Sequence, residues 1–410
     1  MKHAGVHGLV RRTHEERVLG ALREHGVLSR GEIADLVGLS RTTISEITGT
    51  LLAHSAIVVV DTDAASREGS GRPAERLALD PASGQYMGID FGHRRVQIAV
   101  ADASHDVIAA DSEAYGDPST WDERLGAAFT LIERVTVGGG LHLGALQGIG
   151  IGVIGPYPTT PLVGPREGWG RAESARGIDA VFADRFGARV IVDNNTRFAA
   201  LAEAISASGA AVQDLLYVRL SDGVGGGLVV GGRLVTGAAG LAGEFGHVTA
   251  VPGGRRCRCG KQGCVETVAS VPAILAEIRA RGVDVETLDD IGREAARSQP
   301  VVDEVLRAAG GAVGRALGAA AMAVNPASIV IGGEITRVAP AIVEHIAATL
   351  RYELSSVDEA MPSVKASERT DFAGAVGAIA ALFRQSPILA AYPAGTPMIH
   401  QPPTSRSSTR

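Results

Sequence analysis

Apolar residues recur at helical spacing in three successive segments near the start of the chain. The second segment opens with a capping box, in which Ser29 and Glu32 satisfy each other's backbone amides, and it ends at Gly38. The third segment begins after Ser40. The apolar positions of the three segments are Val18, Leu19 and Leu22; Ile33, Ala34, Leu36 and Val37; and Ile44, Ile47 and Leu51. A helix, a Gly-containing turn and a second helix with small polar residues at its start predict a helix-turn-helix.

The outward face of the third predicted helix is polar at its beginning. We expect four of its residues to meet DNA base edges: Arg41, Thr42, Thr43 and Ser45. Two short β-rich runs follow, at 57–60 and 77–79, with a Gly- and Arg-bearing loop between them. This hairpin predicts a wing, and its Gly-Arg-Pro sequence would place Arg72 in a minor groove or against phosphate. Residues 1–83 are therefore predicted to form a winged helix-turn-helix DNA-binding domain.

The charge of this N-terminal segment leaves an alternative open. Residues 1–80 contain 10 lysines and arginines against 11 aspartates and glutamates, so the segment is not basic as a whole. A helical adaptor that binds protein is the competing interpretation.

From residue 84 onward the pattern changes to strands that alternate with helices. A hairpin, a buried Gly-rich strand and a strand that runs into a helix come first, and a similar series follows after residue 214. Such a βββαβα series present twice predicts a two-lobed α/β fold of the actin-like ATPase type, as in sugar kinases. We expect residues 84–200 to form the first lobe and 201–385 most of the second. Residues 386–410 are rich in Pro, Ser and Thr, and we expect most of them to be disordered.

Length and composition narrow the class of protein. The chain has 410 residues, 45% of them hydrophobic and 20% charged, as expected for a globular protein of two or three domains. The net charge of −6 gives no overall attraction to nucleic acid or anionic membrane. No apolar run is long enough to cross a membrane, and the first residues lack a signal-peptide core. We therefore expect a cytoplasmic protein.

All three cysteines of the chain lie close together, next to a histidine. Cys257, Cys259 and Cys264 follow His247, with several glycines between them. An odd number of cysteines in one segment argues against a disulfide framework, whereas three thiolates and one imidazole make a closed tetrahedral zinc site. The sequence predicts a structural zinc ion, because four protein ligands leave no open position for water.

Two glutamates flank this predicted metal loop. Glu244 precedes His247 by three residues, and Glu266 follows Cys264 by two. Carboxylates held rigidly beside a metal-bound histidine suit hydrogen bonds to the vicinal hydroxyls of a sugar. Either glutamate alone would be an ordinary solvated or capping acid, but the pair predicts a polyol site.

The runs GLAGEFGH and CRCGKQGCVE resemble the signature of the ROK family, which comprises repressors, open reading frames and sugar kinases. The resemblance extends to about Arg384. It implies that His247 and the three cysteines bind zinc, and that Glu244, His247 and Glu266 face the sugar hydroxyls. Repressors of the family carry an N-terminal winged helix-turn-helix, which its kinases lack.

Four segments depart from the pattern of the family's kinases. The first phosphate loop, D-x-G-G-T-K in kinases, is here Asp90-Phe91-Gly92-His93-Arg94-Arg95, and the second has Asp222 where phosphate oxygens would lie. The Asp that acts as general base in E-N-D-A-N is replaced by Asn195, whose amide cannot accept a proton but can bind a hydroxyl. Pro165 replaces a sugar-contacting Asn, so the ligand could differ from glucose.

These observations predict a non-enzymatic, sugar-responsive transcriptional regulator, most simply a repressor of carbohydrate genes. We expect it to bind an operator as a homodimer or homotetramer, because one recognition helix reads too few base pairs. The sugar-binding residues implied by the resemblance are Asn194, Asn195, Glu244, His247 and Glu266. Two alternatives remain: a zinc-containing ATP-dependent sugar kinase, and a regulator controlled by a protein partner or a phosphosugar.

Overall fold

The structure is a computed structural model of the chain. It describes residues 14–15, 17–22, 25–53, 56–62, 75–80, 84–102, 106–116, 118–138, 140–143, 146–155, 157, 175, 177–206, 212–355, 361–369 and 372–385. The predicted disordered tail, 386–410, lies outside these residues.

The N-terminal module consists of short helices packed on a three-stranded sheet. Helices α1 (Arg30–Val37) and α2 (Arg41–Ala53) follow a helical segment at 17–22. Strands β1 (Leu28–Ser29), β2 (Ile57–Thr62) and β3 (Glu75–Leu79) form an antiparallel sheet in the order β1-β3-β2. One core joins these elements. Of the predicted inward residues, Val18, Ile33 and Ile44 are fully buried, whereas Leu36 is exposed.

Local sequence signals determine where the two helices begin and end. The Ser29 hydroxyl oxygen accepts a hydrogen bond from the Glu32 amide, and the Glu32 carboxylate accepts one from the Ser29 amide. The predicted capping box at the start of α1 is therefore confirmed. Gly38 closes α1 in the left-handed conformation, which glycine adopts without a Cβ clash. Arg30 then ties the module together, because its guanidinium contacts Glu75 Oε2 at 2.7 Å and Thr48 Oγ1 at 2.9 Å.

The first five-stranded sheet has the order β6-β5-β4-β7-β8. Its strands are β4 (Gln85–Phe91), β5 (Arg95–Ala101), β6 (Val107–Ala114), β7 (Leu146–Val153) and β8 (Arg189–Asn194). The first three are antiparallel neighbours, whereas β4, β7 and β8 run parallel to one another. Helices α3 (Trp121–Val137) and α4 (Ile178–Phe186) cover one face through a shared apolar core. These elements form lobe 1.

The second five-stranded sheet repeats the same order, β11-β10-β9-β12-β13. Its strands are β9 (Leu215–Leu220), β10 (Val224–Val230), β11 (Arg233–Val235), β12 (Ser328–Gly332) and β13 (Ser363–Ala366). The helices on it are α6 (Glu266–Ala269), α7 (Val271–Ala280), α8 (Leu288–Ala296), α9 (Pro300–Val324), α10 (Ile335–Val338) and α11 (Ala341–Glu353). These elements form lobe 2, and the repeated order agrees with the series predicted from the sequence.

Two helices connect the lobes. Helix α5 (Asn195–Ser206) packs Ala199, Ala200 and Ala204 against the second sheet, and Phe198 and Leu201 against α12 (Ala373–Gln385).

Helix α12 packs on the first sheet, which differs from the expected division at residue 200. Gly88 of β4 makes this close approach possible, since a Cβ there would lie 1.9 Å from the carbonyl oxygen of Ala375. Among the described residues, no helix is both long and apolar enough to span a membrane.

Candidate functional site

The four predicted metal ligands lie together in lobe 2. The ligand atoms of His247, Cys257, Cys259 and Cys264 all lie within 4.8 Å of one another. The Sγ atoms of Cys259 and Cys264 are 3.6 Å apart, and Cys257 Sγ lies 3.6 Å from His247 Nδ1. Tetrahedral zinc with Zn–S bonds of about 2.3 Å separates its ligands by about 3.8 Å, so the donor set and its spacing fit a zinc ion.

Tight turns in the loop 247–266 bring these ligands together. Cys257 donates its amide to the Lys261 carbonyl at 2.7 Å, which closes the turn that presents Cys257 and Cys259. Gly263 adopts positive φ, and a Cβ on it would lie 1.6 Å from the Val251 carbonyl oxygen. Only glycine fits there, immediately before Cys264. Burial lowers the pKa of His247; the Glu266 carboxylate opposes this shift, and the Arg258 and Lys261 cations add to it. The lowered pKa favours the neutral imidazole that metals bind.

A cleft of about 1050 Å³ separates the lobes beside this loop. It is lined by Asn194 from lobe 1 and by Glu244 and His247 from lobe 2. Asn194 Nδ2 donates to Glu244 Oε1 at 3.1 Å, so the two lobes already touch at the cleft. Asn194 Oδ1 also caps α5, because it accepts the Thr196 amide at 2.7 Å.

The Glu244 carboxyl group, which lines the cleft, has a raised pKa. Burial raises the pKa of Glu244 to about 7; the Arg197 and Arg258 cations oppose this shift and the Glu266 carboxylate adds to it. A carboxyl group with this pKa can accept or donate a hydrogen bond near neutral pH.

Glu266 is held by an arginine that lies between two of the cysteines. Arg258 Nε lies 2.8 Å from Glu266 Oε1, and Arg258 Nη2 lies 2.9 Å from Glu266 Oε2. The Val224 amide donates to the same Oε2 at 3.1 Å. Gly223 accommodates this pair, since a Cβ there would lie 3.0 Å from Glu266 Oε2. Arg258 lines the cleft, so a ligand hydroxyl that reaches Glu266 must share it with this guanidinium.

Asn195 faces a buried carboxylate. Its Nδ2 donates to Asp90 Oδ1 at 2.8 Å, and both side chains are buried. Burial raises the pKa of Asp90, and Arg219 and Asn195 oppose that shift. An aspartate at position 195 would place a second carboxylate at the Asp90 oxygen, whereas the amide supplies a donor.

The structure separates the predicted DNA-contacting residues from this cleft. Arg41, Thr42 and Ser45 are exposed on the first turns of α2, and Thr43 is half-buried with its hydroxyl 2.7 Å from Ser40 Oγ. Arg72 and the segment 164–169 that contains Pro165 lie outside the described residues.

Sequence reasoning missed several charged residues of the cleft. Arg258 was visible between Cys257 and Cys259, but nothing in the sequence indicated that it binds Glu266. Arg219 lies on a buried strand, where a charge signals a nearby partner. Arg94 was recognised only as a departure from a phosphate loop.

The family follows from a comparison with known sequences. The sequence model of the ROK family matches residues 86–386, which span both five-stranded sheets. The chain belongs to the ROK family. This ROK protein is 28% identical over 395 residues to the DNA-binding transcriptional dual regulator NagC of Escherichia coli, covering 92% of this chain and 93% of NagC. It is 30% identical over 281 residues to the xylose repressor of Caldicellulosiruptor bescii, covering 67% and 68% of the two chains.

Solved structures of ROK proteins have the same fold. The ROK family transcriptional regulator that is a homologue of the E. coli MLC protein superposes with a TM-score of 0.70 and 25% identity, over 90% of this chain and 96% of its own. The Streptomyces griseus ROK glucokinase, solved with glucose and AMPPNP, gives 0.58 and 24% identity, over 73% and 99%. The glucokinase likeness supports the two-lobed sugar-kinase-type fold, and the regulator likeness extends over more of this chain.

Proposed function

We propose that this ROK protein is a sugar-responsive, DNA-binding transcriptional repressor of carbohydrate uptake or metabolism genes. The observation that carries the proposal is the match to NagC over 92% of the chain, which extends beyond the ROK segment 86–386. A repressor name also belongs to the Caldicellulosiruptor bescii relative.

In this proposal the N-terminal module is a winged helix-turn-helix with α2 as its recognition helix. The exposed start of α2 supports this role, because Arg41, Thr42 and Ser45 offer donors and acceptors next to one another. β2 and β3 pair antiparallel and would carry the wing with Arg72. The operator-bound form would be a homodimer or homotetramer, matching a repeated half-site.

The ligand would bind in the cleft next to the loop 247–266. Glu244 and His247 line it, Asn194 and Asn195 reach it from lobe 1, and Glu266 lies behind Arg258. Hydroxyl groups of a sugar would bind these carboxylates and amides. A structural zinc ion on His247 and the three cysteines would hold the loop rigid, and so fix the positions of Glu244 and Glu266.

The protein would not phosphorylate its ligand. At the position of the kinase base, Asn195 donates to Asp90 and has no proton-accepting carboxylate. The second predicted phosphate loop carries Asp222, whose carboxylate is 2.9 Å from Arg94. The bound sugar would instead change the closure of the lobes and thereby the spacing of paired DNA modules.

The test is fluorescence anisotropy of the full-length protein on DNA from upstream of its own gene, across a panel of sugars and phosphosugars. We expect salt-dependent binding that one compound releases. Arg41→Ala should weaken DNA binding about 5-fold or more, as expected for one base contact worth ~1–3 kcal/mol. Arg307→Ala, on the exposed face of α9, is the matched control and should bind normally.

Glu244→Gln tests the proposed sugar response separately from the proposed DNA binding. It should keep DNA affinity and raise the concentration of sugar needed for release. Absence of DNA binding, together with ATP-dependent sugar phosphorylation, would favour the kinase alternative. DNA binding with no response to any compound would favour control by a partner protein.

A further inference from the structure

Among the residues that the structure describes, three ion pairs join one lobe to the other at the cleft. Arg94 of lobe 1 lies 2.9 Å from Asp222 of lobe 2. Arg95 of lobe 1 lies 3.7 Å from Glu334 of lobe 2. In the opposite sense, Arg219 of β9 lies 3.7 Å from Asp90 of β4.

Each pair uses residues from a turn or from near the end of a strand. Arg94 belongs to the β4–β5 turn and Arg95 begins β5, whereas Asp222 belongs to the β9–β10 turn and Glu334 follows β12. The β4–β5 turn is itself anchored, because Tyr115 donates its hydroxyl to the Gly92 carbonyl at 2.5 Å. A fixed turn loses little further entropy when its arginines pair across the cleft.

Three of the residues that depart from the kinase phosphate loops, Arg94, Arg95 and Asp222, form two of these ion pairs. His93, Arg94 and Arg95 stand where the kinase loop has Gly-Thr-Lys, and Asp222 stands where phosphate oxygens would lie. A carboxylate alone at that position would repel phosphate. The structure places a guanidinium on it, so the charge is neutralised from the opposite lobe.

We propose that these ion pairs join the two lobes across the region that nucleotide phosphates would occupy, so that lobe closure is set by the protein's own side chains and needs no nucleotide. The inference goes beyond the proposed repressor function. Its test uses neither DNA nor sugar, so either proposal can fail while the other stands.

Burial makes the three pairs unequal. The Asp90 side chain is 1% exposed and Arg219 17%, so their attraction is weakly screened. Asp90 Oδ2 accepts no hydrogen bond from the described residues, which leaves the Arg219 charge as its main compensation. Arg94 is 65% exposed, and its pair with Asp222 is therefore adjustable by salt. The buried Arg219–Asp90 pair would keep the two lobes aligned, and the exposed Arg94–Asp222 pair would adjust how far they close.

The experiment measures lobe closure by single-molecule fluorescence energy transfer in the full-length protein. Dyes are attached to non-natural residues at Val181 of α4 and Tyr352 of α11, which are exposed on different lobes, so the cysteines stay untouched. Excess unlabelled protein prevents transfer between copies. The variants are Arg94→Asp, Asp222→Arg and the double exchange, with Arg307→Asp as a charge-reversed control on the exposed Arg307–Asp303 pair of α9.

We expect each single reversal to raise the ratio of open to closed molecules about 1.4–5-fold, as an exposed pair of ~0.2–1 kcal/mol implies, and the double exchange to restore it. Added salt should open the wild type, because it screens an attraction, and should close either single reversal, because there it screens a repulsion between like charges. Arg307→Asp should change nothing.

Three results would overturn the inference. The single reversals could leave the ratio unchanged, or the double exchange could remain as open as they are. Alternatively, a fluorescent ATP analogue could bind the wild type and close it, which would make a nucleotide the closing agent. If a reversal fails to fold, Arg219→Gln alone and with Asp90→Asn repeats the cycle, since the neutral pair keeps the Asn195 bond to Oδ1.

Discussion

Replacing Arg258 with glutamine removes the two charge-assisted bonds that hold Glu266. Such bonds contribute about 1.5–3 kcal/mol each between shielded partners. The Arg258 side chain is 40% exposed and Glu266 only 10%, so solvent screens the pair, and we discount its contribution to a total of about 1–2 kcal/mol. Glu266 keeps the Val224 amide as a donor, which prevents a larger loss.

Calorimetry of the full-length protein measures this loss. A domain of the size of lobe 2 loses about 2–4 °C of melting temperature for each kcal/mol of unfolding free energy that it loses. Arg258→Gln should therefore melt several degrees below the wild type. Arg256→Gln, an exposed arginine two residues earlier in the same loop, is the control. Adding Glu266→Gln to Arg258→Gln should recover part of the loss, because no carboxylate is then left without its cation. Equal melting of wild type and Arg258→Gln, or an equal loss in Arg256→Gln, would refute the reasoning.

Three further changes test other parts of the structure. The purified protein should contain one zinc ion per chain by plasma mass spectrometry, and Cys264→Ser should lower both the zinc content and the melting temperature. Ser29→Ala should destabilise the N-terminal module by about 1 kcal/mol in urea unfolding, while Ser40→Ala tests the start of α2 in the same way. Burial raises the pKa of Glu203, so folding takes up a proton and stability falls as pH rises from the ordinary carboxyl range through the folded value. Glu203→Gln should reduce that fall at pH values above the ordinary carboxyl range, and an unchanged pH profile would contradict the assignment.

The parts of the fold that depend on short-range signals could be predicted from the sequence. The buried residues of α1 and α2 recur every three to four positions, and the Ser29 cap lies within four residues of its partner. The metal ligands are spread over only 18 residues, so their grouping needed no knowledge of the fold. The sugar-contacting and DNA-contacting roles stay predictions.

The features that could not be predicted join residues far apart in the chain. Asp222 and Arg94 are separated by 128 positions in the chain. In the sequence Asp222 looks like an unpaired carboxylate that would repel phosphate, and only the fold shows that Arg94 pairs with it. The return of α12 to lobe 1 depends on the missing Cβ of Gly88, whose glycine looks in sequence like any other in a β-strand. Neither contact produces a periodic pattern in the sequence from which it could be predicted.

Helix α5 begins at the cleft and ends deep between the lobes. Asn194 caps it, Asn195 is its first residue, and the fully buried Arg197 donates both to Asp193 and to the Gly240 carbonyl in the loop before Glu244. Helix α5 thus joins the two lobes, and the proposed ligand contacts lie at its start. A ligand that binds Glu244 and Asn194 would therefore act on the first turn of the helix that both lobes pack against.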